Sequence, residues 1–158
     1  MRSKRCCVMA DEVLPGQGLR VQRRLPGPPE HAFAAWTQPR LLARWMSPFG
    51  SAEAEVDLRV GGAFSIVMHG PGQDIRHTGT YLELEPPHRL VFSWASPYTG
   101  QEPSRVSVYL VASGADETQL TLVHDRLPAA QVESHQGGWG QILDHLAALL
   151  TDGRTGWT

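Results

Sequence analysis

Cysteine is almost missing from this chain. Its two cysteines, Cys6 and Cys7, are neighbours, a spacing bridged only with strain, so a disulfide framework is excluded and a reducing, cytoplasmic setting is expected. Long apolar runs are missing too. No window approaches the about 18 to 20 uninterrupted apolar residues of a membrane span. Neither sign of charge dominates: 14 Lys and Arg stand against 16 Asp and Glu, a net charge of −2, and the basic residues are scattered. A nucleic-acid partner is therefore not expected. There is no Gly-x-Ser-x-Gly elbow, phosphate loop or dinucleotide fingerprint, and the seven histidines include no pair at the spacing of zinc ligands. Neither a cofactor nor a metal is expected.

What is present is an ordinary globular balance, 41% hydrophobic and 19% charged over 158 residues, which fits one domain with one core. Residues 1–17 read as a flexible leader, 18–152 as the domain and 153–158 as a C-terminal tail. From Leu19 to Leu25 the side chains alternate as in a strand. Pro28 and Pro29 then open a short helix that ends near Thr37, and Pro39 opens a second, with Leu41, Leu42 and Trp45 on one face.

Beyond Gly50 the pattern becomes an antiparallel meander. Strands are predicted over 52–58, 63–69, 75–85, 89–94, 104–112 and 118–124, separated by turn residues such as Gly61-Gly62, Gly70-Pro71-Gly72 and Pro86-Pro87. With the first strand this makes seven. The period then changes to about 3.6: Val132, Gln136, Trp139, Leu143, Leu146 and Leu150 step by threes and fours, predicting a helix over 129–150. Gly137 and Gly138 within it suggest a close approach of backbone to the sheet or to the short helices.

This order, with specific residues, resembles the START-like or SRPBCC superfamily, the helix-grip or Bet v 1-like fold. More narrowly it resembles the C-terminal domain of the activator of the 90-kDa heat-shock-protein ATPase. The likeness is carried by Pro28-Pro29-Glu30 with Phe33 and Trp36, by Arg44-Trp45, and by the run Asp57 to Phe64. It continues in Gly79-Thr80-Tyr81, Pro86-Pro87-His88-Arg89-Leu90 with Trp94, Thr118 to Leu122 with His124, and Gly137-Gly138-Trp139. The fold it implies is α+β: a curved antiparallel sheet of six to seven strands, two short helices after the first strand, and a long C-terminal helix across the sheet.

In such a fold the sheet and helix enclose a pocket. Alternation nominates Phe64, Ile66 and Met68 for its wall, with Leu90, Phe92 and Trp94 on another strand and Trp139, Ile142, Leu143 and Leu146 on the helix. Trp45 is expected to close one end. The same residues could equally form a filled core. His69, His77 and His124 lie in or at the ends of strands, and Arg105 and Tyr109 share a face of another. His124 is the candidate for general-base work, since it matches a family position at the end of the last strand.

The resemblance implies a small hydrophobic or amphipathic ligand: a lipid, a polyketide or an aromatic. Two alternatives stand beside it, a cyclase or hydratase using a pocket histidine and a module that contacts a chaperone ATPase or serves a stress response. The edges of such a sheet also leave room for a homodimer.

Overall fold

The computed structural model describes residues 12–14, 18–49, 51–99 and 102–152. The leader and tail read from the sequence, with Cys6 and Cys7, lie outside the described residues apart from Glu12–Leu14. The elements run β1 (Glu12–Leu14), β2 (Gly18–Pro26), α1 (Pro29–Thr37), α2 (Pro39–Trp45), β3 (Ala52–Val56), β4 (Ala63–Gly70), β5 (Gln73–Glu85), β6 (Arg89–Trp94), β7 (Ser104–Ala112), β8 (Glu117–Asp125) and α3 (Val132–Asp152). A 3-10 turn at Ala129–Gln131 leads into α3.

All strand pairs are antiparallel, in the order β1-β2-β8-β7-β6-β5-β4-β3. The sheet therefore has one strand more than the seven read from alternation. The addition, β1, is too short to show a period. Two other bounds move: β3 stops at Val56, so Leu58 and Val60 project from a turn and are exposed, and the first turn of the predicted long helix is the 3-10 turn.

Local chemistry explains the helix breaks. Pro29 sits at the start of α1, where its missing N–H costs nothing. Gln38 ends α1 and precedes Pro39, which forces it into an extended conformation (φ −94°, ψ 125°) and restarts the chain as α2. The indole N–H of Trp45 donates to the Ala35 carbonyl at 3.0 Å, tying the two short helices together.

The sheet is curved where it has to be. Gly79 on β5 lies opposite Phe64 on β4, and a Cβ at Gly79 would collide with the Phe64 ring and the Ser93 carbonyl. A bulge follows between Tyr81 and Glu83, and bulges increase local twist and bend. The concave face collects Val21, Val106, Val108, Leu110, Leu120 and Leu122, all without solvent exposure. Helix α3 lies across it, meeting β2, α1 and α2.

Candidate functional site

The space between sheet and α3 is filled at one end and open at the other. At the filled end α1 and α2 plug the sheet. Trp36 meets Trp45 edge-on at 4.8 Å between ring centroids and lies 6.1 Å from Trp139 and 6.2 Å from Phe92. Phe64 stands edge-on to Phe92 at 5.3 Å. The void left among Trp36, Leu42, Phe64, Ile66, Tyr81 and Phe92 is about 10 Å³, at the lower limit for a single water.

At the open end a cavity of about 580 Å³ lies between β4, β5 and β6 on one side and the first half of α3 on the other, within the range of small-molecule sites. Its floor is made by Trp94 and Trp139, 5.3 Å apart. His77 stacks on Trp94 at 4.7 Å with 31° between the rings. Met68, Ile75 and Ile142 add aliphatic wall.

Two loops supply the rim. Phe49 stands in the loop after α2, which Ser47 fixes by donating to the His69 carbonyl at 3.1 Å and His145 by donating Nε2–H to the Pro48 carbonyl at 3.1 Å. Tyr98 follows β6 in a turn where Ser96 accepts the Tyr98 N–H and Thr99 accepts the Ser96 N–H.

The candidates named from sequence divide into three groups. Met68, Trp94, Trp139 and Ile142 line the cavity. Trp45, Phe64, Ile66, Leu90, Phe92, Leu143 and Leu146 belong to the packed core, all at most 5% exposed. Arg105 and Tyr109 are corrections. On β7 the even positions Ser104, Val106, Val108 and Leu110 are buried, so the odd ones face away from α3. Arg105 forms a two-pronged pair with Asp125 (3.2 and 2.8 Å), and Tyr109 lies under Arg89.

His124 is sealed behind the cavity floor with no exposure. The Trp139 indole, which can only donate, gives its N–H to His124 Nδ1 at 2.9 Å. This fixes the neutral tautomer with the proton on Nε2, which lies 2.7 Å from Ser104 Oγ, and Ser104 in turn donates to the Trp94 carbonyl at 2.7 Å. The single lone pair of the imidazole is thus already in use, so the bonding supports a structural role rather than the general base anticipated. Burial, with the nearby His135 and His77, holds His124 well below the usual histidine range.

Sequence reasoning missed part of the wall: Phe49, Tyr98, Gln73, Ile75, Gln131, Ser134 and His135. His135 was legible in principle, since it shares a helical face with Gly138, Trp139 and Ile142. Its Nδ1–H donates to the Gln131 carbonyl at 2.8 Å, and burial lowers its pKa. His77 is only 7% exposed and its pKa is lowered to about 4 by burial and by His135. Among the described residues the Trp94 Nε1 is buried without a hydrogen-bond partner. His69 at the rim lies between Glu53 (3.3 Å) and Asp74 (3.2 Å). Among the described residues no cluster of His, Cys, Asp or Glu could hold a metal ion.

Gly137 and Gly138 do not mark a close approach. A Cβ at either meets nothing within 4 Å, and at Gly138 the open space is the cavity. A second hollow of about 710 Å³ lies on the side of the sheet away from α3, near Glu55, Ser65, Thr78 and Thr80. Among the described residues no buried polar atom without a partner borders it.

A curved antiparallel sheet gripping one long helix over a partly open cavity defines a helix-grip domain. Residues 26–151 match the family described as activator of Hsp90 ATPase homolog 1-like protein, and the chain belongs to that family. It is similar to a crystal structure of a Nitrosomonas europaea protein at 26% identity, covering 89% of this chain and 97% of that one, with a TM-score of 0.75. It is similar to an HSP90 activator from Plasmodium falciparum at 31% identity, covering 72% and 76%, with a TM-score of 0.61. CalU16 from Micromonospora echinospora is 28% identical over 89% of this chain and 86% of its own, with a TM-score of 0.69. No curated protein sequence matches this chain. No described helix is long and apolar enough to cross a membrane.

Proposed function

We propose that this protein binds a small, largely apolar or amphipathic ligand in the cavity between α3 and the sheet. One observation carries the reading: a cavity of about 580 Å³ between α3 and the sheet, lined by Met68, Ile75, Trp94, Trp139 and Ile142. A ligand that fills it buries apolar surface against that wall.

The test uses Nile red, an uncharged dye that brightens in apolar sites, with the native chain and a Gly138→Leu variant. The Leu side chain enters open space and removes a helix-interior glycine, which raises helix stability by about 1 kcal/mol. The native chain is expected to bind the dye saturably and the variant to lose binding with its fold intact. A native chain that does not bind, or a variant that binds equally, overturns the reading.

A second reading is contact with an Hsp90-type chaperone, supported by the family's description and by the Plasmodium relative. It predicts that the chain raises the ATPase rate of such a chaperone. An unchanged rate together with no co-sedimentation removes it.

A further inference from the structure

The cavity wall is specific about charge. The described residues that line it include no Lys, Arg, Asp or Glu. His77 and His135 are kept neutral near pH 7 by burial, and His69 faces the two carboxylates of Glu53 and Asp74. A charged ligand would surrender its hydration and find no counter-charge inside.

The wall is also specific about shape and polarity. Rings from Phe49, Trp94, Tyr98 and Trp139 are joined by the His77 and His135 imidazoles, surfaces that favour stacking against a flat conjugated molecule over a flexible chain. The Trp139 N–H is held by His124, so that residue offers only its ring. The Trp94 N–H is buried out of reach of the cavity, so that residue too offers only its ring. His135, whose Nδ1–H is used by Gln131, keeps an Nε2 lone pair for an incoming donor.

We infer that the occupant is an uncharged, flat aromatic molecule carrying a hydroxyl that donates a hydrogen bond. His135 takes the hydroxyl, and the rings of His77, Trp94 and Trp139 supply the stacking surface. The inference rests on the ligand-binding reading above and narrows it to one chemical class.

Three probes separate the class from its rivals at pH 7: methyl 6-hydroxy-2-naphthoate, the anion 6-hydroxy-2-naphthoate on the same skeleton, and the uncharged chain 1-dodecanol. Calorimetry on the full chain is expected to show the ester binding at least about tenfold tighter than either rival, and Gly138→Leu abolishing it. His135→Phe, with folding checked by circular dichroism, is expected to lose the preference for the hydroxylated ester over methyl 2-naphthoate. Should His135→Phe not fold, the native chain reports instead by binding the hydroxylated ester more tightly than methyl 2-naphthoate. The class is overturned if the anion or dodecanol matches the ester, if the folded variants bind it unchanged, or if Nile red binds and the ester does not. Failure of Nile red and all three probes overturns the ligand-binding reading beneath it.

Discussion

The Trp139 indole N–H donates to His124 Nδ1 at 2.9 Å, so the centre of the long helix is bonded to the last strand of the sheet. Both residues are at most 2% exposed. Replacing His124 with Phe strands the indole N–H and removes the donor to Ser104, and is expected to cost about 2 to 3 kcal/mol in urea unfolding. Trp139→Phe removes the same orphan, so the double variant should lose clearly less than both singles together. Strict additivity would show that the bond contributes nothing.

Acid should weaken the fold through the buried imidazoles. The unfolded His77 takes up its proton near pH 6.5, the folded one only near about 4. Between those values the unfolded chain holds more protons. The stability that His77 contributes is therefore complete above about pH 6.5, falls as pH drops toward about 4, and levels off below, a loss of about 3 kcal/mol. His124 and His135 act in the same direction. Urea midpoints measured from pH 7.5 to 4 should fall, and His77→Phe should fall less steeply. Parallel curves for the two proteins would contradict this.

Gly79→Ala is expected to be among the most damaging single-methyl changes in the chain. The added Cβ would meet a backbone carbonyl, Ser93, and the ring of Phe64, and neither can move without shifting the sheet. Overpacking of this kind costs about 1 to 3 kcal/mol or more. Thermal unfolding would record it as a marked drop in Tm or as insoluble protein. A Tm within a degree of the native chain would refute the contact.

Arg105→Ala tests the opposite expectation. The Arg105–Asp125 pair is short, but its side chains are 38% and 32% exposed and lie on the face away from the cavity. Screening should hold the stability loss under about 1 kcal/mol. Nile red binding should be unchanged. Loss of dye binding in a folded variant would reinstate Arg105 as a ligand contact.

The sequence revealed elements and faces better than it revealed the void. Val132 to Leu150 declares its buried stripe because each turn repeats it, and Phe64, Ile66 and Met68 declare theirs by alternation. The same rule contained the correction for Arg105 and Tyr109, since Val106, Val108 and Leu110 between them are the apolar set. What separates the packed end from the open end is three-dimensional: whether Trp36 and Trp45 reach far enough to fill the curve of the sheet. Phe49 and Tyr98 sit in loops without periodicity, held by hydroxyls and carbonyls that no pattern advertises.

The chain of bonds from Trp139 through His124 and Ser104 ends on the backbone carbonyl of Trp94. It therefore begins and ends on the two tryptophans that form the cavity floor, and it acts as a strut of fixed length between the helix and the strand. A pocket braced in this way has its floor held by helix and strand together, while Phe49 and Tyr98 at the rim hang from loops tied by their own hydrogen bonds, so floor and rim are anchored independently.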